Sequence, residues 1–93
     1  MTSQVHAKHI LVQKETEAYA VLGELRNGKS FEDTAREKSL CPSKRNGGDL
    51  GWFGRNQMVK EFETAAFSLE IGKTSLPIKT QFGYHIIKVI EKK

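Results

Sequence analysis

Two hydrophobic periods divide this chain. Gln4 to Val12, QVHAKHILV, ends in β-branched and apolar residues and holds no Gly or Pro, which reads as a strand. Ala18, Val21, Leu22 and Leu25 then recur at helical spacing and share one face of a helix. Asn27-Gly28 stops that helix. Ser30, with Asp33 three residues on, resembles a capping box and opens a second, short helix to about Lys38, its inner side marked by Phe31, Thr34 and Ala35. From Ser39 to Asp49, SLCPSKRNGGD, turn formers replace any period, in a stretch long enough to suggest a functional or mobile loop. LGWFG reads as a short strand. MVKEFETAAFSLEIG gives a third helix, with Met58, Phe62, Ala65, Ala66 and Leu69 on one face. LPIKT and YHIIKVIEK are two further strands joined by a tight turn at QFG, with Pro77 at a strand start or edge. The order predicts an α+β domain: a small, mostly antiparallel sheet with helices packed around it.

The alternation of strand side chains places the histidines. His9 shares a face with Ala7 and Leu11, and His85 shares one with Ile87 and Val89. If the first and last strands are neighbours, the two imidazoles meet across them. A buried imidazole needs partners for two ring nitrogens. Two neutral rings can share one proton between facing nitrogens, which would either rigidify a core or poise a site. His6 is three residues from His9 and points the other way, as a surface residue; no third ligand completes a metal site.

Length and composition narrow the class. The 93 residues make one domain, residues 1–93, and the 38% hydrophobic and 28% charged content is that of a globular protein. No apolar run approaches the roughly 20 residues of a membrane span, and the N-terminus lacks the apolar stretch of a signal peptide. The lone Cys41 cannot form an internal disulfide, suits a reducing compartment and excludes a Cys-rich zinc site. The expectation is a cytoplasmic monomer. The net charge of +4 is spread along the chain, with one local cluster at Lys44-Arg45, and reads as a solvated basic surface rather than nucleic acid binding as a main role.

HAKHILV, GGDLGWF, QMVKEFETAAFSL and TQFGYHIIKV, in this order and spacing, resemble the parvulin peptidyl-prolyl cis/trans isomerases (PpiC, or rotamase, family). The resemblance runs from about Val5 to Lys92 and is strongest to small single-domain prokaryotic parvulins. It implies the FKBP-like parvulin fold, a four-stranded antiparallel sheet surrounded by helices in the order βαααβαββ, with a short helix inside the Ser39–Asp49 loop. It implies that His9, Cys41, Thr80 and His85 form the catalytic group, joined in one hydrogen-bonded network. Leu50, Met58 and Phe62 would take the substrate proline ring, with Gln57 as a pocket neighbour and Phe82 near the rim. On the residues alone, Met58 and Phe62 are one helical turn apart and read as core, Cys41 as a small buried hydrophobe, and Trp52 as a packing residue. The implied activity is rotation about X–Pro bonds of flexible or unfolded segments, assisting folding, without cofactor, metal or covalent step. Phosphate-selective parvulins carry basic residues after the first strand; QKETEA here holds one lysine, Lys14, and two glutamates, so no phosphate requirement is expected. The alternative is a module that holds proline-containing segments as a chaperone with little turnover.

Overall fold

A computed structural model describes residues 2–93. Its elements run β1 (Gln4–Val12), α1 (Glu15–Arg26), α2 (Phe31–Lys38), a 3-10 helix (Pro42–Asn46), β2 (Asp49–Gly54), α3 (Lys60–Ser68), β3 (Ile78–Thr80) and β4 (Gly83–Lys92). The expected βαααβαββ order is met with the 3-10 helix as its third helical member. Pro42 opens that helix, where a missing N–H costs nothing. The third α-helix starts at Lys60, so Met58 lies just before it.

The sheet order is β2-β1-β4-β3 and every pairing is antiparallel. β1 and β4 are therefore central neighbours, and their alternate side chains feed two layers. Ile10, Val12 and Ile86 face α1 and α2, where they pack with Ala18, Val21, Leu22, Phe31 and Ala35. Val5, Ala7, Ile87 and Val89 face α3 and pack with Phe53, Phe62 and Ala66. Burying an aliphatic side chain of this size is worth about 1.5–3 kcal/mol. The Ser30 hydroxyl caps α2 by accepting the Asp33 N–H at 3.0 Å. The cap is one-way, because the Asp33 carboxylate turns instead to Arg36.

The Ser39–Asp49 segment is bound to the edge of β1 rather than loose. The Leu40 N–H donates to the Leu11 carbonyl at 2.8 Å, and the His9 N–H to the Gly48 carbonyl at 2.9 Å. The buried Ser39 hydroxyl accepts the Leu11 N–H at 3.0 Å. Gly48 lies so close that a β-carbon there would stand 2.4 Å from the His9 carbonyl oxygen. On the other side of β1, at the Gln81-Phe82 turn, a β-carbon on Gly83 would stand 2.4 Å from the Val12 carbonyl oxygen. These two contacts press glycine backbone against β1 at His9 and at Val12, one from each edge of the strand.

One expectation needs correction. His6 is not a free surface residue: it is partly buried, and its Nε2 bonds the Asp49 carboxylate at 2.8 Å, because the far side of β1 is flanked by β2 and β4 there. Trp52 does pack, but at the surface: it is 39% exposed, with its ring against His6 at 5.5 Å.

Candidate active site

β1 and β4 carry the two histidines to one place by register. His9 faces Ile87 and Leu11 faces His85, so the imidazoles are diagonal neighbours on one face of the sheet. Their Nδ1 atoms are 3.0 Å apart and the rings are near-parallel, with centroids at 5.2 Å. Phe62 of α3 meets both rings edge-on, at 5.5 and 5.2 Å. Thr80, at the end of β3, places its hydroxyl 2.7 Å from His85 Nε2. The same oxygen accepts the Phe82 N–H at 3.2 Å.

Both histidines are 5% exposed. Burial drives His9 from its ordinary 6.5 down to about 4, and the neighbouring His85 adds to this. Burial alone drives His85 to about 4. Both rings are thus neutral at neutral pH, and one Nδ1–H donates to the other Nδ1. Counting hydrogen bonds assigns the direction. If Thr80 donates to His85 Nε2, His85 donates from Nδ1 to His9, and only His9 Nε2, buried without a partner, is left over. In the reverse direction the Thr80 hydroxyl hydrogen would lack an acceptor as well. On this count the chain is assigned the direction Thr80 to His85 to His9.

This chain forms part of one wall of a cleft of about 500 Å³. Leu50 of β2, Met58 and Phe62 line it, together with Gln57, Phe82 and Cys41, so the nine candidate residues come together; Thr80 reaches it through His85. No Lys, Arg, Asp or Glu lines the cleft. Gln57 is held at the rim by its Oε1, which accepts the Gly54 N–H at 2.9 Å. Cys41 departs from expectation. It lies on the wall, half-buried, but no hydrogen bond joins its Sγ to either histidine; its own N–H donates to the Ser39 hydroxyl at 3.3 Å. The backbone at Cys41 is extended, as the following Pro42 favours.

Four residues of the cleft lining were not read from the sequence: Leu11, Leu40, Pro42 and Val59. Leu11 shares the face of His9 and forms floor, as its strand position already implied. Leu40, at the rim, is 61% exposed and reads as an ordinary loop residue. Outside the lining, Ser39 ties Leu11 and Cys41 together through one hydroxyl. A serine just past a helix carries no signal of such a role. Among the described residues no cluster of His, Cys, Asp and Glu has the makings of a metal site.

The chain matches the Rotamase family, the PPIC-type PPIase domain, over residues 5–91. It is 52% identical over 90 residues to the foldase protein PrsA of Geobacillus kaustophilus, a match that covers 96% of this chain and 32% of that one. It superposes on the crystal structure of the peptidylprolyl isomerase PrsA from Bacillus anthracis with a TM-score of 0.96 at 46% identity, over 99% of this chain and 43% of that one. NmPin, the parvulin of Nitrosopumilus maritimus, is similar over its whole length: TM-score 0.87, 43% identity, 98% of this chain and 99% of the other. The chain belongs to the PPIC-type peptidyl-prolyl cis-trans isomerase domains. It spans about a third of the length of the PrsA foldase it matches. No helix of the described residues is long and apolar enough to cross a membrane.

Proposed function

We propose that this cleft binds a proline of an extended or unfolded segment and speeds rotation about the peptide bond before it, without covalent chemistry. The observation that carries the reading is a charge-free apolar cleft with a chain of neutral, hydrogen-bonded imidazoles in its wall. Amide resonance sets a barrier of about 18–20 kcal/mol to that rotation. At the twisted transition state the C–N bond loses double-bond character, and the amide becomes less polar. A site that binds the twisted form more tightly than either planar isomer accelerates both directions. Leu50, Met58 and Phe62 hold the pyrrolidine ring while the preceding carbonyl turns. The apolar walls remove water that would solvate the planar amide. Thr80, His85 and His9 are a fixed, uncharged scaffold for that motion, with Phe62 braced edge-on against both rings.

The absence of any cationic residue in the lining supports catalysis without a phosphate on the substrate. The residue before proline is selected loosely, in favour of apolar side chains, because Leu40 and Phe82 stand 61% and 59% exposed at the rim. The same exposed rim favours a second reading, in which the domain holds unfolded segments with little turnover. The lining comes from one chain, so a single copy carries a whole cleft. The lone half-buried Cys41 supports a reducing compartment, the cytoplasm.

Two-dimensional NMR exchange on a proline tetrapeptide, with and without a trace of the protein, tests the reading. The expected result is faster cis/trans exchange, reduced by Met58→Ala or His9→Ala. Peptide shift changes without faster exchange would leave the holding module. A phosphoserine-proline peptide turned over faster than its unmodified twin would overturn the specificity.

A further inference from the structure

Asp49 and His6 lie on the opposite side of the sheet from the cleft, yet the strand register ties them to it. Along β2, Gly54 faces Gln4, Phe53 faces Val5 and Trp52 faces His6; then Asp49 faces Lys8. Two residues, Leu50 and Gly51, thus stand opposite the single Ala7, which is a β-bulge. The bulge decides where Leu50 points. Phe53 lies in the α3 layer, whereas Trp52 lies against His6 on the other side. Strict alternation from there would send Gly51 toward α3 and Leu50 away from it. The extra residue inverts that parity, so Leu50 lines the cleft and Asp49 comes beside His6. The bulge thus accounts for the place of Leu50 in the cleft wall.

One carboxylate oxygen holds it. Asp49 Oδ1 accepts the Gly51 N–H at 2.7 Å and the His6 Nε2–H at 2.8 Å. Gly51 takes φ 71°, the left-handed region open to glycine, and the bond from Asp49 fixes it there. Partial burial pushes the Asp49 carboxyl up, but the bonds from Gly51 and His6 outweigh it and hold it below the usual carboxylate range. His6 is in turn wedged between β2 and β4, with Trp52 against its ring and Glu91 3.5 Å from its Nδ1. We propose that Asp49 and His6 are positioning residues for the active site: from the far face they lock the bulge that turns Leu50 onto the substrate proline. The proposal rests on the isomerase reading of the cleft.

The test measures kcat and KM for exchange of a proline tetrapeptide, together with the Leu50 methyl resonances, on the full chain. Asp49→Ala removes the shared acceptor. It is expected to raise KM about tenfold, the scale of one lost apolar contact in a pocket, to change kcat less, and to move the Leu50 methyl signals. Asp49→Asn retains an acceptor oxygen and is expected to restore KM to within about twofold. His6→Leu should act in the same direction as Asp49→Ala but more weakly, with His6→Gln, whose amide N–H replaces Nε2–H, recovering the loss. A folded Asp49→Ala protein with unchanged KM and unmoved Leu50 methyls overturns the proposal, as does an Asn variant as impaired as the Ala variant. If Asp49→Ala does not fold, the His6 pair decides by the same two readouts. An unsubstituted chain that catalyses no exchange sinks the isomerase reading instead, and the Leu50 shifts then judge the bracket alone.

Discussion

The β1–β4 pair presents two faces made from alternate residues of the same strands. Toward α1 and α2, Ile10, Val12 and Ile86 join an apolar cluster with Val21, Leu22 and Phe31. Toward α3, the next positions along the same strands hold His9 and His85, tied to each other and to Thr80. The first face gains stability from every atom it buries. The second gives up part of that gain: two imidazoles lose water and recover two hydrogen bonds, with one nitrogen left bare. The difference shows how a chain of 93 residues separates its two needs. The α1–α2 face is apolar throughout, whereas the α3 face joins an apolar cluster to polar groups held at fixed distances beside an open cleft.

Substitutions should separate the faces. Ile86→Ala, on the α1–α2 side, is expected to lower unfolding stability by about 2–5 kcal/mol. The kcat/KM per folded molecule should stay within about twofold of the parent. Urea titration and peptide exchange on the same sample check both halves, and a large fall in kcat/KM of the folded protein would break the comparison.

The pH response is next. The histidines' folded pKa values of about 4 lie below the ordinary 6.5. An unfolded chain therefore binds protons that the native chain refuses between these two values. Stability is full above pH 6.5 and falls as pH drops toward 4, by up to about 1.4 kcal/mol per pH unit for each histidine. Replacing both His9 and His85 with Asn should remove most of that slope, measured as urea midpoints from pH 7 to pH 4. Catalysis should stay level down to about pH 5, since the rings remain neutral.

Thr80→Val comes third. It leaves His85 Nε2 and the Phe82 N–H without their shared oxygen, and should lower stability by about 1–3 kcal/mol and kcat/KM about tenfold. In the unsubstituted protein, ¹⁵N correlations should find the protons on His85 Nδ1 and His9 Nε2. The opposite tautomers would reverse the direction assigned to the chain. The smallest effect is expected from Cys41→Ala, within about threefold in kcat/KM, because its sulfur stands outside the hydrogen-bonded chain. Complete loss of turnover with fold and peptide affinity intact would bring covalent attack back.

Much of this was legible from periodicity. The inner faces of α1 and α2 lie where Ala18, Val21, Leu22, Phe31 and Ala35 put them, because helical spacing alone determines them. The meeting of His9 with His85 followed from alternation plus one assumption, that β1 and β4 are neighbours. What alternation could not supply was its own interruption. The bulge at Leu50-Gly51 depends on Asp49 finding both Gly51 and His6, a contact over 43 positions, so His6 read as surface and Asp49 passed unnoticed. Trp52 packs on one side only, because a strand at the sheet edge leaves the other side wet. The resemblance to parvulins placed Met58 and Phe62 in a pocket that helical spacing alone assigned to the core. Both readings hold for Phe62, which is 2% exposed and still lines the cleft. The resemblance brought Cys41 to the cleft as well, but not into the bonded chain.

The two glycine contacts that press on β1, at the His9 and Val12 carbonyls, bear on timing. With the backbone pressed close at both carbonyls, the floor of the cleft is tightly packed, while the rim side chains Leu40 and Phe82 are exposed. Rotamer changes of exposed side chains take picoseconds to nanoseconds, far faster than a turning amide. The amides of His9 and His85 are therefore expected to be silent in millisecond relaxation experiments even while the peptide beside them exchanges.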